Sequence, residues 1–122
     1  MNKATRITQD LKIPTNMDDF IDTTDILAAL EKPWLLSSED LSRLERLHEQ
    51  AVDYVEDYNY GATLIRDTAF KDYTIDLAND ICTQELHSWP FNCIDWDFAA
   101  EELKYDYIEV EFGGISYYGL CS

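Results

Sequence analysis

Two histidines, three cysteines and twenty-five carboxylates are the groups through which this 122-residue chain could do chemistry. Zinc needs Cys and His at short, paired spacings. His48 and His87 stand 39 residues apart, and Cys93, six residues past His87, completes no such pattern. Asp95-Trp96-Asp97 offers one step of a calcium loop, but neither the loop glycine nor the closing glutamate follows. A capped helix start accounts for those residues better. Nucleophilic catalysis needs a Ser or Cys set on a turn beside a base, and no such turn is visible. Paired carboxylates could do general acid–base work, but with so many acids a pair arises by chance. Gly61, Gly113, Gly114 and Gly119 are the only glycines, too few and too scattered for a phosphate-cradling loop. The expectation is a protein with no catalytic centre, no metal and no cofactor. Cys82, Cys93 and Cys121 are odd in number with no CxxC step, and they read as reduced thiols of a cytoplasmic protein.

The acids carry the pattern. Nine Lys and Arg against twenty-five Asp and Glu leave a net charge of −16. Residues 1–17 carry +2 (Lys3, Arg6 and Lys12 against Asp10), so the rest of the chain carries −18. Such a surface repels nucleic acid and anionic lipid and favours basic partners. Glu45, Glu49 and Asp53 recur every four residues, with Glu56 and Asp57 one step further; Asp72, Asp76 and Asp80 do the same. Residues four apart share a helix face, and like charges there destabilise the helix slightly. A face that merely kept the protein in solution would normally intersperse bases. Here only Arg43, Arg46 and Lys71 fall on the two helices. Each stripe sets one charge per ~6 Å of axis, against one per ~1.7 Å for both strands of duplex DNA. Two or three stripes side by side would approach a phosphate array. Asp97, Glu101 and Glu102 on a further helix, and Glu109 and Glu111 on a strand, extend it.

The elements that must position these acids follow from hydrophobic period and caps. Residues 1–17, polar and broken by Pro14, read as a mobile arm. Residues 18–31 show a helical pattern through Phe20, Ile21, Ile26, Leu27 and Leu30, with Thr24 as N-cap and Pro33 as the stop. A second helix starts at Ser37 or Ser38 and, on the stripe Leu41, Leu44, His48, Ala51, Val55, Tyr58, runs to about residue 58. A third spans about 67–82, capped by Asp67 or Thr68, with Phe70, Tyr73, Leu77 and Ile81 inward. A loop holds Trp89-Pro90. Asp95 caps a fourth helix to about Lys104, with Trp96, Ala99, Ala100 and Leu103 inward. Then the period changes to two. Residues 107–112 alternate strictly, Gly113-Gly114 suits a two-residue turn, and residues 115–120 return as a partner strand with Ile108, Val110 and Phe112 on one face. The tyrosines read mainly as packing, with a few left for an interface rim. No apolar run reaches the roughly 18 residues of a membrane span, and no secretory leader is visible.

One stretch is familiar as a whole. Trp89-Pro90, Ile94-Asp95-Trp96, the alanine pair Ala99-Ala100, then Asp106-Tyr107 before a terminal hairpin resemble the C-terminal part of the ArdA-type antirestriction proteins. Asp72-Tyr73 and residues 77–81 resemble the acidic helix before it. The resemblance covers roughly residues 60–118; the chain is shorter than the family's, and residues 1–57 do not resemble its N-terminal domain. It implies a DNA mimic carried by a phage or other mobile element. Such proteins are elongated acidic dimers that occupy the DNA-binding groove of type I restriction-modification enzymes. Trp89, Ile94, Asp95 and Trp96 are then expected to be structural. The expected fold is α+β, about four helices with a C-terminal β-hairpin and a strongly acidic surface. Residues 18–122 form one domain, or two small subdomains over 18–58 and 59–122. The expected function is inhibition of a DNA-binding host defence protein, a restriction-modification enzyme first and a CRISPR effector, nucleoid protein or polymerase by the same physics. The partner is a protein, without direct nucleic-acid or membrane contact, and the chain is a candidate homodimer. The alternative is a small acidic adaptor that binds a partner through its hairpin edge or an aromatic patch, without imitating DNA.

Overall fold

Strict alternation over residues 107–112, a Gly-Gly turn and a returning strand specify a hairpin, and the hairpin forms one half of the sheet. The computed structural model describes residues 12–81 and 88–121. Their elements run β1 (Phe20–Asp22), α1 (Thr23–Leu30), α2 (Ser38–Ala51), β2 (Thr63–Arg66), α3 (Phe70–Ile81), α4 (Trp96–Leu103), β3 (Tyr107–Phe112) and β4 (Ile115–Leu120). The four strands make one antiparallel sheet in the order β1-β2-β4-β3. Gly113 and Gly114 both take positive φ, 57° and 83°, as the two-residue turn requires. The architecture is α+β, with four α-helices among the described residues and the expected C-terminal strand pair. That pair is half of a larger sheet, not an isolated ribbon, which would be marginal alone.

Alternation gives the sheet two faces. Ile21, Leu64, Val110, Phe112 and Tyr117 point to one, where Ile26 and Ala29 of α1 and Leu44, Leu47 and Ala51 of α2 close the main core. Ile65, Tyr107 and Tyr118 point to the other, against Phe70 and Tyr73 of α3 and Ala100 and Leu103 of α4. The sheet is therefore sandwiched between α1/α2 and α3/α4. It takes strands from both sides of residue 58. Of the N-terminal arm, residues 1–11 lie outside the described part. Ile13 packs on the main core, Asn16 donates to the Gly113 carbonyl at 3.0 Å, and the Tyr117 hydroxyl donates to the carbonyls of Thr15 and Asp18.

Several local expectations are corrected. Phe20 and Ile21 belong to a strand, not a helix, and Asp22 rather than Thr24 caps α1, accepting from the Thr24 amide at 2.9 Å. The second helix ends at Ala51, not near residue 58. Val55 bridges to Cys121, the Glu56 amide donates to the Leu120 carbonyl, and buried Thr23 donates to the Tyr58 carbonyl while accepting from the Ala62 amide. Those tertiary bonds outcompete helix continuation. Leu47 belongs to the buried stripe, whereas His48 is half-buried and bonds the Tyr58 hydroxyl at 2.9 Å. Neither Asp67 nor Thr68 caps the third helix; a 3₁₀ turn over Asp67–Ala69 leads into α3, and no side-chain cap bond is made at its start. Asp95 does cap α4, accepting from the Phe98 amide at 3.1 Å.

Candidate acidic interface

The thirteen predicted carboxylates come from five places, and on the helices and the strand each is put outside by what its neighbours bury. On α3, Phe70 and Thr74 are buried, which turns Asp72, Asp76 and Asp80 to solvent. On α4, burial of Ala100 turns out Asp97, Glu101 and Glu102. On β3, Glu109 and Glu111 alternate with buried Val110 and Phe112, as the period of two requires. On α2, Glu45 and Glu49 are exposed opposite Leu44 and Leu47. Asp53, Glu56 and Asp57 are exposed too, but in the turns beyond α2, so the helical stripe expected through Asp53 and on to Asp57 does not exist.

The sheet divides this set. Asp72, Asp76, Asp80, Asp97, Glu101 and Glu102 sit on the α3/α4 side, the side to which Glu109 and Glu111 also point. Glu45 and Glu49 sit on the α2 side. The expected side-by-side stripes are thus α3 with α4, not α2 with α3. The two sides approach each other at the outer edge of β3. There an open cleft of about 600 Å³ lies between α2 and the hairpin turn, lined by Arg43, Arg46, Glu49, Gln50 and Glu111. Gln50 spans it: its amide nitrogen donates to the Glu111 carbonyl at 2.8 Å, and its amide oxygen accepts from the Glu111 amide at 2.9 Å. A side chain thus does what a neighbouring strand would do, and it blunts that edge.

Some of the acids are already engaged within the chain. Lys71 pairs with Asp97 at 3.2 Å, and Lys104 with Glu101 at 3.1 Å and Asp67 at 3.7 Å. The Ser116 hydroxyl donates to Glu109, and the Gly114 amide to Glu111. Among the described residues no ion pair involves Asp72, Asp76, Asp80 or Glu102. Lys104 is the anchor of this side. Its ammonium lies 4.8 Å from the Tyr118 ring centroid and 5.5 Å from that of Phe70. Desolvation opposes its charge, but Glu101, Tyr118 and Asp67 together outweigh it and raise its pKa above the ordinary lysine value. Beneath it Phe70, Tyr107 and Tyr118 pack edge to face, and the Tyr73 and Tyr107 hydroxyls bond at 2.9 Å. This aromatic layer holds α3 and α4 against the sheet.

The surface carries more large apolar side chains than the few rim tyrosines expected from the sequence. Trp89, expected to be structural, is 78% exposed, and Ile81, expected to face inward, is 73% exposed. Ile94 is also at the surface, while Trp96 is half-buried. Phe98, Tyr60 and Tyr105 are exposed as well. No periodic signal marks these residues; Phe98 sits next to Asp97 on the outer face of a helix only eight residues long. Of the cysteines, Cys93 and Cys121 are exposed, and Cys82, like His87, lies outside the described residues. Among the described residues no three His, Cys, Asp or Glu side chains converge to hold a metal ion, and no helix is long and apolar enough to cross a membrane. Comparisons with protein-family models, with curated proteins and with solved structures find no match.

Proposed function

We propose that this protein is a DNA mimic that occupies the DNA-binding site of a host defence protein, with a type I restriction-modification enzyme as the first target. The observation that carries the reading is the α3/α4 side. Two adjacent helices there expose six carboxylates, and the bases beside them among the described residues, Lys71 and Lys104, are each tied to an acid. Along α3 the charges fall every ~6 Å of axis. Packed helix axes lie about 8–10 Å apart, between the roughly 6 and 12 Å widths of the DNA grooves. Two rows at that separation offer a basic groove charges on the scale of its natural ligand. The resemblance of residues 60–118 to ArdA-type proteins supports the same reading and adds the class of target. It also adds a homodimer. Pairing through the β3 edge would have to displace Gln50 from Glu111, so an apolar contact away from that edge is the better route to a dimer.

DNA cleavage by a purified type I enzyme, titrated with this protein, tests the proposal. The expected result is stoichiometric inhibition relieved by excess duplex. No inhibition there, and none of DNA binding by a CRISPR effector, nucleoid protein or polymerase, would remove it. One observation favours the adaptor reading instead: the exposed Trp89, Phe98 and Tyr105, which a pure phosphate array does not need. An adaptor would bind its partner together with DNA.

A further inference from the structure

The outward surface between α3 and α4 is not only acidic. A groove of about 420 Å³ runs between the two helices, lined by Leu77, Ala78 and Ile81 on one wall and Trp96, Ala99 and Leu103 on the other. The residues on α3, together with Thr74, fall at i, i+3, i+4 and i+7, and those on α4 at i, i+3 and i+7. On each helix these residues belong to the same apolar stripe as Phe70 or Ala100, and the sheet leaves part of it uncovered: Ile81 is 73% exposed. Ala78 and Ala99 are small, which keeps the floor open. Glu102 and Asp106 stand in the walls, and Asp76 and Asp80 flank the α3 stripe.

We infer that this groove docks an amphipathic helix of a partner protein, its apolar side in the groove and its Lys and Arg residues on the acidic banks. A helix laid in a groove presents apolar anchors at i, i+3, i+4 and i+7, the period of the walls themselves. Charge complementarity selects the occupant. A second copy of this chain docked here would bring acid against acid, because Asp76, Asp80, Glu102 and Asp106 border the groove. An anionic lipid surface is repelled for the same reason. A basic amphipathic segment satisfies both walls and banks. The inference stands apart from DNA mimicry: a groove that takes such a helix needs no phosphate-like geometry, and a phosphate array needs no apolar floor.

The test uses the full chain and a fluorescein-labelled peptide of Leu and Lys with Leu at i, i+3, i+4 and i+7. A scrambled peptide of the same composition and a Leu/Glu counterpart serve as controls, with anisotropy as the readout. The patterned peptide is expected to bind about tenfold tighter than the scrambled one, and the Leu/Glu peptide not to bind. Ala78→Glu and Ala99→Glu add acid while filling the groove, so the two accounts predict opposite signs. Docking in the groove requires about tenfold weaker binding, whereas attraction by charge alone requires equal or tighter binding. Ile81→Ser changes only an exposed wall residue and serves as the variant least able to disturb folding; a loss of a few fold is expected. Equal binding of patterned and scrambled peptides, unweakened binding by both Glu variants, or an unchanged Ile81→Ser affinity overturns the inference. Failure of this protein to compete with duplex DNA for a defence enzyme would overturn the DNA-mimic proposal alone.

Discussion

Asp72 and Asp80 stand at opposite ends of α3, and neutralising them one at a time should change stability in different directions while changing target binding alike. Each is four residues from Asp76, so either substitution by Asn relieves one like-charge pair, worth roughly 0.2–0.5 kcal/mol. The helix dipole then separates them. Asp72 lies in the first turn, where negative charge gains about 0.3–1 kcal/mol; Asp80 lies in the last turn, which holds no basic residue, and pays a similar amount. Asp80→Asn should therefore stabilise the fold by about 0.5–1.5 kcal/mol, and Asp72→Asn should leave it near unchanged or slightly weaker. Binding should not follow that split. Exposed charges contribute about 0–1 kcal/mol each, so each single variant should lose no more than about fivefold in target affinity. The variant with Asp72, Asp76 and Asp80 all replaced should lose up to about 3 kcal/mol, on the order of a hundredfold, if the three contributions add. Urea denaturation and target titration read the two quantities on the same samples. An Asp80→Asn protein less stable than the parent would refute the end-effect argument. A well-folded triple variant that binds with unchanged affinity would refute phosphate imitation by α3.

Gln50→Ala removes both bonds to the Glu111 backbone and uncovers the β3 edge; a loss of about 1–2 kcal/mol and concentration-dependent association in sedimentation are expected. Gly119→Ala should cost about 1–3 kcal/mol by thermal denaturation, because a Cβ there would lie 2.8 Å from both Leu64 Cδ2 and Val55 Cγ2. Burial pushes the Tyr58 and Tyr117 hydroxyls up to about 12 from an ordinary value of 10.0. The unfolded chain therefore releases these protons first. Stability should be full below about pH 10 and fall progressively toward pH 12, with Tyr58→Phe flattening part of that decline in a pH series of urea melts.

The hairpin and the Asp95 cap were legible because both are local: a period of two, a Gly-Gly turn, an Asp three residues before the amide it accepts from. Strands β1 and β2 were not. Phe20–Asp22 and Thr63–Arg66 are too short to show a period, and pairing with each other and with β4, nearly a hundred residues away from β1, makes them strands. The end of α2 was hidden for a different reason. Val55 and Tyr58 continue its apolar spacing and are indeed buried, but the backbone reaches those sites through turns held by Thr23, Leu120 and Cys121. The same division holds for the interface. Exposure of ten of the thirteen carboxylates followed from their period against the apolar stripes, while Asp53, Glu56 and Asp57 are exposed in turns that the period did not foresee. Their partition between two sides of a sheet, and the apolar groove between α3 and α4, depend on long-range pairing that no local pattern carries.

Mutual exclusion between this protein and duplex DNA tests the central claim most directly. A fluorescein-labelled duplex bound to a type I restriction-modification enzyme is titrated with the protein, and both anisotropy and the mass of the complex are followed. The account predicts complete, competitive release of the duplex, with a midpoint that rises in proportion to the DNA present, and no species containing enzyme, DNA and this protein together. Binding of the protein with the duplex retained, as a stable ternary complex, would contradict it.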